Sequence, residues 1–152
     1  MAAGKISVRS ITLKEIQPLR EKWLVASGLI VTDGFEGDAR SRTQHLGAIR
    51  KGKILGIVSL FNEPRPAMVE AKAWRLRGLA VNPSVRGEGC GRSLIEGAAR
   101  HIARSRGNLL WANVPVVSCD FFCALDFEIA GDTFDVHDLD PHHRILLHLN
   151  KR

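Results

Sequence analysis

One stretch constrains the fold more than any other: a strand-like apolar run, a glycine-dense turn and an amphipathic run follow each other over residues 77–106. A helix that starts just after such a turn offers unpaired N–H groups and the positive end of its dipole, which suits phosphate. Glycine adds no Cβ that would keep a phosphate from those N–H groups. The sequence therefore predicts a phosphate-binding turn, formed by Gly87, Gly89 and Gly91 between Arg86 and Arg92.

Two common nucleotide-binding motifs do not fit this turn. The Walker pattern needs Lys followed by Ser or Thr after its last glycine, and Arg92 follows Gly91 instead. The dinucleotide pattern G-x-G-x-x-G would need a glycine where Leu94 stands. Neither an ATPase nor a dinucleotide-dependent oxidoreductase is therefore favoured.

Length and composition indicate an ordinary globular protein. The chain has 152 residues, and at roughly 100–200 residues per domain we expect one domain over residues 1–152. Hydrophobic residues make up 45% and charged residues 25%, which allows a packed core. No run approaches the roughly 18 apolar residues of a membrane span, and the first residues lack a signal peptide's apolar segment. We therefore expect a cytoplasmic location and no membrane partner.

The charge distribution predicts an anionic partner. Basic residues outnumber acidic ones by 22 to 16, a net charge of +6, and they concentrate over residues 40–106. Charge alone leaves nucleic acid, an anionic membrane surface and a phosphorylated cofactor open. The chain lacks the interleaved aromatic residues of a stacking platform, so no nucleic acid is expected. The arginines of residues 40–77 fit three roles: a solvated face, a site for an acidic substrate, or counter-charge for the cofactor.

Neither a metal site nor a disulfide is predicted. The chain has three cysteines and no C-x-x-C pair, so we expect reduced thiols. His142 and His143 are adjacent, and neighbouring strand residues point to opposite faces of a sheet, so they form no metal pair. Cys90 stands where a helix N-terminus would lower the pKa of its thiol. Plain packing is the alternative for Cys90.

The hydrophobic periodicity predicts a mixed α/β sheet with helices packed on it. Thr12 and Glu15 have the spacing of a capping box at the start of a helix. A short strand is expected near Ile6 and Val8. The further predicted elements are a helix over 13–27, hairpin strands over 44–50 and 53–61, a strand over 73–81, a helix over 89–106, a strand over 109–114, a helix over 117–125, and strands over 128–133 and 143–149.

Arg86, Gly89 and Gly91 fill the pattern R-x-x-G-x-G between a strand and an amphipathic helix. This pattern resembles the acetyl-CoA-binding signature of the GNAT superfamily of N-acetyltransferases. Further blocks occur in the family's order along about 105 residues. They are residues 45–48 with 56–58, 74–81, 110–113, 121–127 and 141–144.

The resemblance implies a central mixed sheet splayed between its fourth and fifth strands, with acetyl-CoA as cosubstrate and no metal. It implies that an amine attacks the thioester directly in a ternary complex. The expected acceptor is a primary amine of a small molecule rather than of a protein, and a homodimer stays open. The implied cofactor-binding residues are Leu79, Ala80, Val81, Arg86, Gly87, Glu88, Gly89, Cys90, Gly91, Arg92, Ser93, Asn113 and Phe122.

Two departures from the family pattern concern the chemistry. Relatives place a tyrosine that protonates the leaving thiolate where this chain has Phe122, and the chain contains no tyrosine. Many relatives carry a glutamate on the fourth strand, where this chain has Arg75 and Arg77. The general base is therefore sought elsewhere, and the candidates are Glu70, His45 and His142. A CoA-binding sensor without turnover is the alternative function.

Three positions have a structural reading beside the functional one. Phe122 fits core packing as well as contact with the cofactor arm. Asn113 fits a hydrogen bond to a neighbouring segment as well as a contact with the cofactor. Asp126 replaces the family's glycine, so either the aspartate adopts a left-handed conformation or the helix before it ends differently.

Overall fold

The computed structural model describes residues 4–24, 34–136 and 141–149. Ten helices and strands in this part of the chain position the sites discussed below. In chain order they are β1 (Ser7–Ile11), α1 (Leu13–Leu24), β2 (Gln44–Arg50), β3 (Lys53–Phe61), β4 (Ala73–Val81), α2 (Cys90–Arg104), β5 (Leu109–Pro115), α3 (Cys119–Cys123), β6 (Glu128–Phe134) and β7 (His142–His148). Short 3₁₀ turns at Pro83–Val85 and Val116–Ser118 precede α2 and α3.

The strands form a seven-stranded sheet in the order β1-β2-β3-β4-β5-β7-β6. The pairs β1/β2, β2/β3, β5/β7 and β6/β7 are antiparallel, whereas β4 and β5 run parallel. The pairing of β4 with β5 covers Ala73–Arg75 and Leu109–Trp111. A mixed sheet flanked by helices confirms the predicted fold class.

The predicted boundaries of β2, β3 and β4 agree with the structure to the residue. The predicted helix over 89–106 ends earlier, at Arg104, because Arg106 turns left-handed with φ 62° and the Gly107 N–H closes the end on the Ile102 carbonyl at 2.8 Å. The helix predicted over 117–125 is instead a 3₁₀ turn followed by the five-residue α3. Residues 25–27 of the first predicted helix lie outside the described residues.

The predicted capping box starts α1. The Glu15 N–H donates to Thr12 Oγ1 at 3.0 Å, and the Thr12 N–H donates to Glu15 Oε1 at 2.9 Å. Each side chain therefore accepts a hydrogen bond from a backbone N–H at the start of the helix. The box sets the first residue of α1.

The chain divides into two compact units. The first comprises Met1–Phe61 and Arg77–Arg100, and the second Asn62–Leu76 and His101–Arg152. The core of the first includes Ile11, Ile16, Trp23, Leu24, Ile57 and Ala80. The core of the second includes Ala73, Leu109, Trp111 and Leu146. The single-domain expectation stays a prediction.

Asp126 ends α3 in a left-handed conformation, with φ 73°. The Phe127 N–H donates to the Phe122 carbonyl at 3.2 Å and the Asp126 N–H to the Cys123 carbonyl at 3.1 Å. These two bonds form a Schellman motif, in which the left-handed position is usually glycine. Of the two sequence-based alternatives for Asp126, the structure therefore has the left-handed aspartate.

We expect Asp126→Gly to raise the free energy of unfolding by about 1 kcal/mol, because glycine adopts positive φ without the Cβ penalty. Asp126→Ala is the matched control, and it should lower the free energy because alanine keeps the Cβ and loses the local polar group. Urea denaturation of the three proteins measures both changes. A glycine variant as destabilised as the alanine variant would show that the left-handed conformation carries no strain.

Candidate active site

The glycine turn lies in the first unit, between β4 and α2. Gly87 and Gly89 have φ of 81° and 91°, backbone conformations that residues other than glycine rarely adopt. A Cβ built at either position would meet no atom within 4 Å, so the turn faces open space. The Ser93 N–H donates to the Gly89 carbonyl at 3.0 Å and is the first helical bond of α2.

The start of α2 therefore offers an anion-binding set of donors. Because the helical bonds begin at Ser93, the N–H groups of the residues at 90–92 have no acceptor within the helix. Arg86 and Arg92 are exposed on either side of these donors. Arg92 lies 3.8 Å from Glu96, an exposed pair of the kind that contributes little to stability. Gly87 and Gly89 leave the space in front of the turn open, the N–H groups of residues 90–92 can donate, and Arg86 and Arg92 carry positive charge. Together these features fit a pyrophosphate group.

Glu88 lies within the same turn, where its negative charge would oppose a phosphate. Its Oε1 accepts from Arg50 Nη1 at 2.8 Å. Arg50 is the last residue of β2, and its side chain is largely covered. This pair compensates the carboxylate, and sequence reasoning missed it because only the packing of the hairpin brings residues 50 and 88 together.

Cys90 is buried at the first position of α2, with 2% of its surface exposed. Burial raises the pKa of its thiol, and the charge of Arg50, which lowers it, does not reverse that direction. The lowered pKa expected from the helix N-terminus is therefore wrong, because burial removes the thiol from water and disfavours the thiolate. Cys90 packs as a small apolar side chain.

The end of β4 carries three of the predicted cofactor-binding residues. Ala80 is buried, whereas Leu79 and Val81 are half-buried. Just before them Gly78 adopts φ 68°, and a Cβ there would come within 2.8 Å of Phe35 Cε2. Glycine at this position therefore lets the Phe35 ring approach the backbone of β4 closely.

Phe35 also stacks against two guanidinium groups. The Arg20 and Arg77 Cζ atoms lie 4.3 and 4.1 Å from the centre of its ring. Sequence reasoning assigned no role to Phe35. Its contacts with Arg20 and Arg77 show that the Phe35 ring is packed within the first unit rather than left free in solvent.

His45 belongs to a buried polar network in the first unit. Its Nε2 lies 3.1 Å from the Asp38 carbonyl and its Nδ1 lies 2.7 Å from Ser59 Oγ. Because a carbonyl only accepts, Nε2 carries the proton and Nδ1 accepts from the Ser59 hydroxyl. Burial lowers the pKa of His45. The imidazole is therefore neutral, with both nitrogens already in hydrogen bonds.

Arg20 completes this network and is fully buried, with 0% of its surface exposed. Its Nη1 and Nη2 donate to the two carboxylate oxygens of Asp38 at 2.6 and 2.8 Å. Nη2 also donates to Ser59 Oγ at 2.7 Å, which leaves the Ser59 proton for His45. The pair of Arg20 with Asp38 therefore ties residues 34–43 to α1.

The other two base candidates lie in the second unit. Glu70 forms an ion pair with Arg65, whose hydrogen bonds lower the pKa of the Glu70 carboxyl. Glu70 also lines an open cavity of about 720 Å³. His142 begins β7, where it pairs with Pro115 of β5, and its ring centre lies 6.3 Å from that of Phe134.

Asn113 and Phe122 also lie in the second unit. Asn113 Oδ1 accepts from Arg144 Nε at 3.1 Å, which is the kind of hydrogen bond to a neighbouring segment that the sequence allowed. Phe122 is buried, and its ring centre lies 5.4 Å from that of Phe127 and 5.0 Å from that of Phe121. Core packing therefore accounts for Phe122 in the structure, and cofactor contact at both positions stays a prediction.

The family model of the acetyltransferase (GNAT) family matches residues 12–122. The chain belongs to this family. Membership agrees with the glycine turn described above, which lies within the matched segment. Among the described residues, no group of three His, Cys, Asp or Glu side chains could hold a metal ion. No helix in the described ranges is both long and apolar enough to cross a membrane.

Relatives of this GNAT chain are similar along most of its length. YitI, an uncharacterised N-acetyltransferase of Bacillus subtilis (strain 168), is 26% identical over 90% of this chain and 92% of its own. An acyl-CoA N-acyltransferase from Pseudomonas aeruginosa shares the fold, with a TM-score of 0.73 and 20% identity over 93% of this chain and 97% of its own. The yncA structure from Salmonella typhimurium, which includes its cofactor acetyl-CoA, has a TM-score of 0.72 and 15% identity over 97% and 95%.

Proposed function

We propose that this GNAT protein transfers the acetyl group of acetyl-CoA to a primary amine of a small molecule. The observation that carries the proposal is the glycine turn, with its two left-handed glycines, its unpaired N–H groups and its exposed arginines. Family membership supports the reaction class, and the acetyl-CoA in the yncA structure supports the choice of cosubstrate.

In this proposal the turn binds the pyrophosphate of acetyl-CoA. The N–H groups of residues 86–91 donate to it, and Arg86 and Arg92 supply charge. Arg50 holds the Glu88 carboxylate at 2.8 Å and so reduces its repulsion of the phosphates. The backbone of Leu79 and Val81 would hold the pantetheine arm, and bound acetyl-CoA supplies the reactive thioester.

The amine must lose a proton before it attacks, which requires a general base. In the structure His45 already uses both ring nitrogens and Glu70 is held by Arg65. These two groups would have to exchange a hydrogen bond to act, and His142 is the third candidate. The base is the candidate whose substitution lowers kcat and changes its pH profile while the affinity for acetyl-CoA stays unchanged.

A CoA-binding sensor without turnover is the second candidate function. The observation that favours it is Phe122, which is buried against two phenylalanine rings where relatives place a tyrosine. Without that tyrosine, either water or another group protonates the thiolate, or the thiolate leaves unassisted, because a thiol pKa near 8.5 makes it a fair leaving group. Transfer at a reduced rate is therefore compatible with Phe122.

The experiment that separates the two functions is a single-turnover assay. The purified protein is mixed with acetyl-CoA and a panel of small primary amines, and free CoA and acetylated amine are both measured. We expect release of CoA that requires the amine and matches the acetylated product. Binding of acetyl-CoA without any amine-dependent release would overturn the transferase and leave the sensor.

A further inference from the structure

Two arginines of the second unit lie over one buried tryptophan, Trp111. Arg75 of β4 is the register partner of Trp111 on β5, and Arg144 of β7 is the partner of Asn113. Because alternate strand residues share a face, Arg75, Trp111 and Arg144 lie on the same face of the sheet. The Cζ atoms of Arg75 and Arg144 lie 5.0 and 5.4 Å from the centre of the indole.

The carboxylates around this tryptophan do not balance the arginines. Arg75 lies 3.2 Å from Glu63, and Arg65 pairs with Glu70. Arg144 donates to Asn113 and lies over the rings of Trp111 and Phe134, but within the described ranges it forms no ion pair with a carboxylate. Among the described residues, Arg65 and Arg75 therefore each pair with one carboxylate, whereas Arg144 pairs with none.

The surroundings of Arg144 make its positive charge costly. Burial lowers the pKa of Arg144, and the charges of Arg65 and Arg75 lower it further. The Arg75 side chain is 24% exposed and the Arg65 side chain 22%, so this is not a solvated face. The Arg75 Nε is buried without a hydrogen-bond partner in the described part of the chain. An anion beside Arg144 would offset the repulsion from Arg65 and Arg75. It would also supply the ion pair that Arg144 lacks among the described residues.

We propose that the amine acceptor also carries a carboxylate or phosphate group, which Arg144 binds beside the Trp111 indole. This inference rests on the proposed function and names the class of its acceptor. A guanidinium suits the role because its fixed fork of donors matches both anions. The apolar indole reduces competition from water, and the charges of Arg65 and Arg75, which act on Arg144, add attraction for an anion. The sequence left three roles open to the arginines of residues 40–77. For Arg65 and Arg75 this proposal selects the second, a site for an acidic substrate.

The test compares acceptors that differ only in the anionic group. Amino acids are paired with their amides, and phosphoethanolamine with ethanolamine, in the acetyl-transfer assay. We expect the wild type to favour one anionic series by about ten- to a hundredfold in kcat/KM, as the loss of one charged hydrogen-bonding group implies. The series that shows the preference identifies the anion as carboxylate or phosphate.

Arg144→Gln should abolish that preference, mainly through KM, so that an anionic acceptor and its neutral partner react at equal rates. Arg144→Lys keeps the positive charge but lacks the forked donors of a guanidinium, so it should retain part of the preference. It replaces Arg144→Gln in the test if the glutamine variant fails to fold. Arg104→Gln is the matched control, because it removes one exposed positive charge of α2. Equal rates for anionic and neutral acceptors in the wild type would overturn the inference and leave the proposed function standing.

A binding measurement keeps the inference separate from turnover. Glycine, glycinamide, phosphoethanolamine and ethanolamine are titrated while the Trp111 indole N–H signal is followed by NMR. We expect shifts from the anionic member of the preferred series, none from the neutral members, and none in Arg144→Gln. If no amine is acetylated and these shifts occur, the proposed function fails while the anion site stands. If the neutral members shift the signal equally, the anion site is wrong.

Discussion

Replacing Asp38 by alanine is expected to lower the free energy of unfolding by about 3–5 kcal/mol, because it leaves a buried guanidinium without its carboxylate. Arg20 is 0% exposed, and both of its terminal nitrogens donate to Asp38. The variant also removes the acceptor of the Phe35 N–H, which lies 2.8 Å from Asp38 Oδ2. Urea unfolding followed by tryptophan fluorescence measures the loss.

Glu36→Ala is the matched control, since it removes a carboxylate from the same segment. Glu36 lies 3.9 Å from Arg40, and the two side chains are 92% and 58% exposed. An exposed pair of this kind contributes little, so we expect a change within about 0.5 kcal/mol. Equal and small losses in both variants would show that the Arg20 charge has another partner.

The same pair predicts the direction of the pH dependence. Burial alone would raise the pKa of Asp38, but the hydrogen bonds from Arg20 and the Phe35 N–H, together with the charge of Arg20, lower it overall. A folded pKa below the unfolded one means that the stabilisation is present above the unfolded pKa and is lost as the pH falls through the folded pKa. In acid, the wild type should therefore lose stability more steeply than Asp38→Ala.

Gly89→Val is expected to weaken the binding of acetyl-CoA by about a hundredfold or more. Valine at φ 91° is strained, so the turn must change shape, and its side chain would enter the open space in front of the turn. The variant therefore misaligns several N–H donors, each worth about 1.5–3 kcal/mol to a charged acceptor. Calorimetric titration of acetyl-CoA measures the change in Kd.

Gly52→Val separates this effect from backbone strain. Gly52 lies in the turn between β2 and β3, has φ 79° and also has no atom within 4 Å of a built Cβ. The Gly52→Val variant should lose about as much free energy of unfolding as Gly89→Val and keep the wild-type affinity for acetyl-CoA. If Gly89→Val bound acetyl-CoA as well as Gly52→Val, the turn before α2 would not be the phosphate site.

Features that depend on neighbours in sequence could be predicted. The capping box needs only residues 12–15, and the hairpin follows from two apolar runs joined at Gly52. The limits of β4 follow from an apolar run that ends before Asn82 and Pro83. The glycine turn before α2 is local too, since its glycines and arginines lie within seven residues, 86–92.

Features that depend on packing could not be predicted. Arg20, Asp38, Ser59 and His45 meet only because α1 packs on the hairpin, so nothing in the sequence around His45 indicates that both its nitrogens are in use. The contact of Arg144 with Trp111 requires β7 to lie beside β5, an order that sequence patterns do not give. The pKa of Cys90 depends on its burial, which the helix-end argument did not include.

The measurement that tests the central claim most directly is the thermal unfolding of the protein with acetyl-CoA, CoA, ATP and NAD at one concentration and one salt. A ligand at 100 times its Kd adds about 2.7 kcal/mol, which raises the Tm of a domain of this size by several degrees. We predict that acetyl-CoA and CoA raise the Tm, that ATP and NAD do not, and that Gly89→Val abolishes the effect. No shift with either CoA species would contradict the assignment of the glycine turn as the cofactor site.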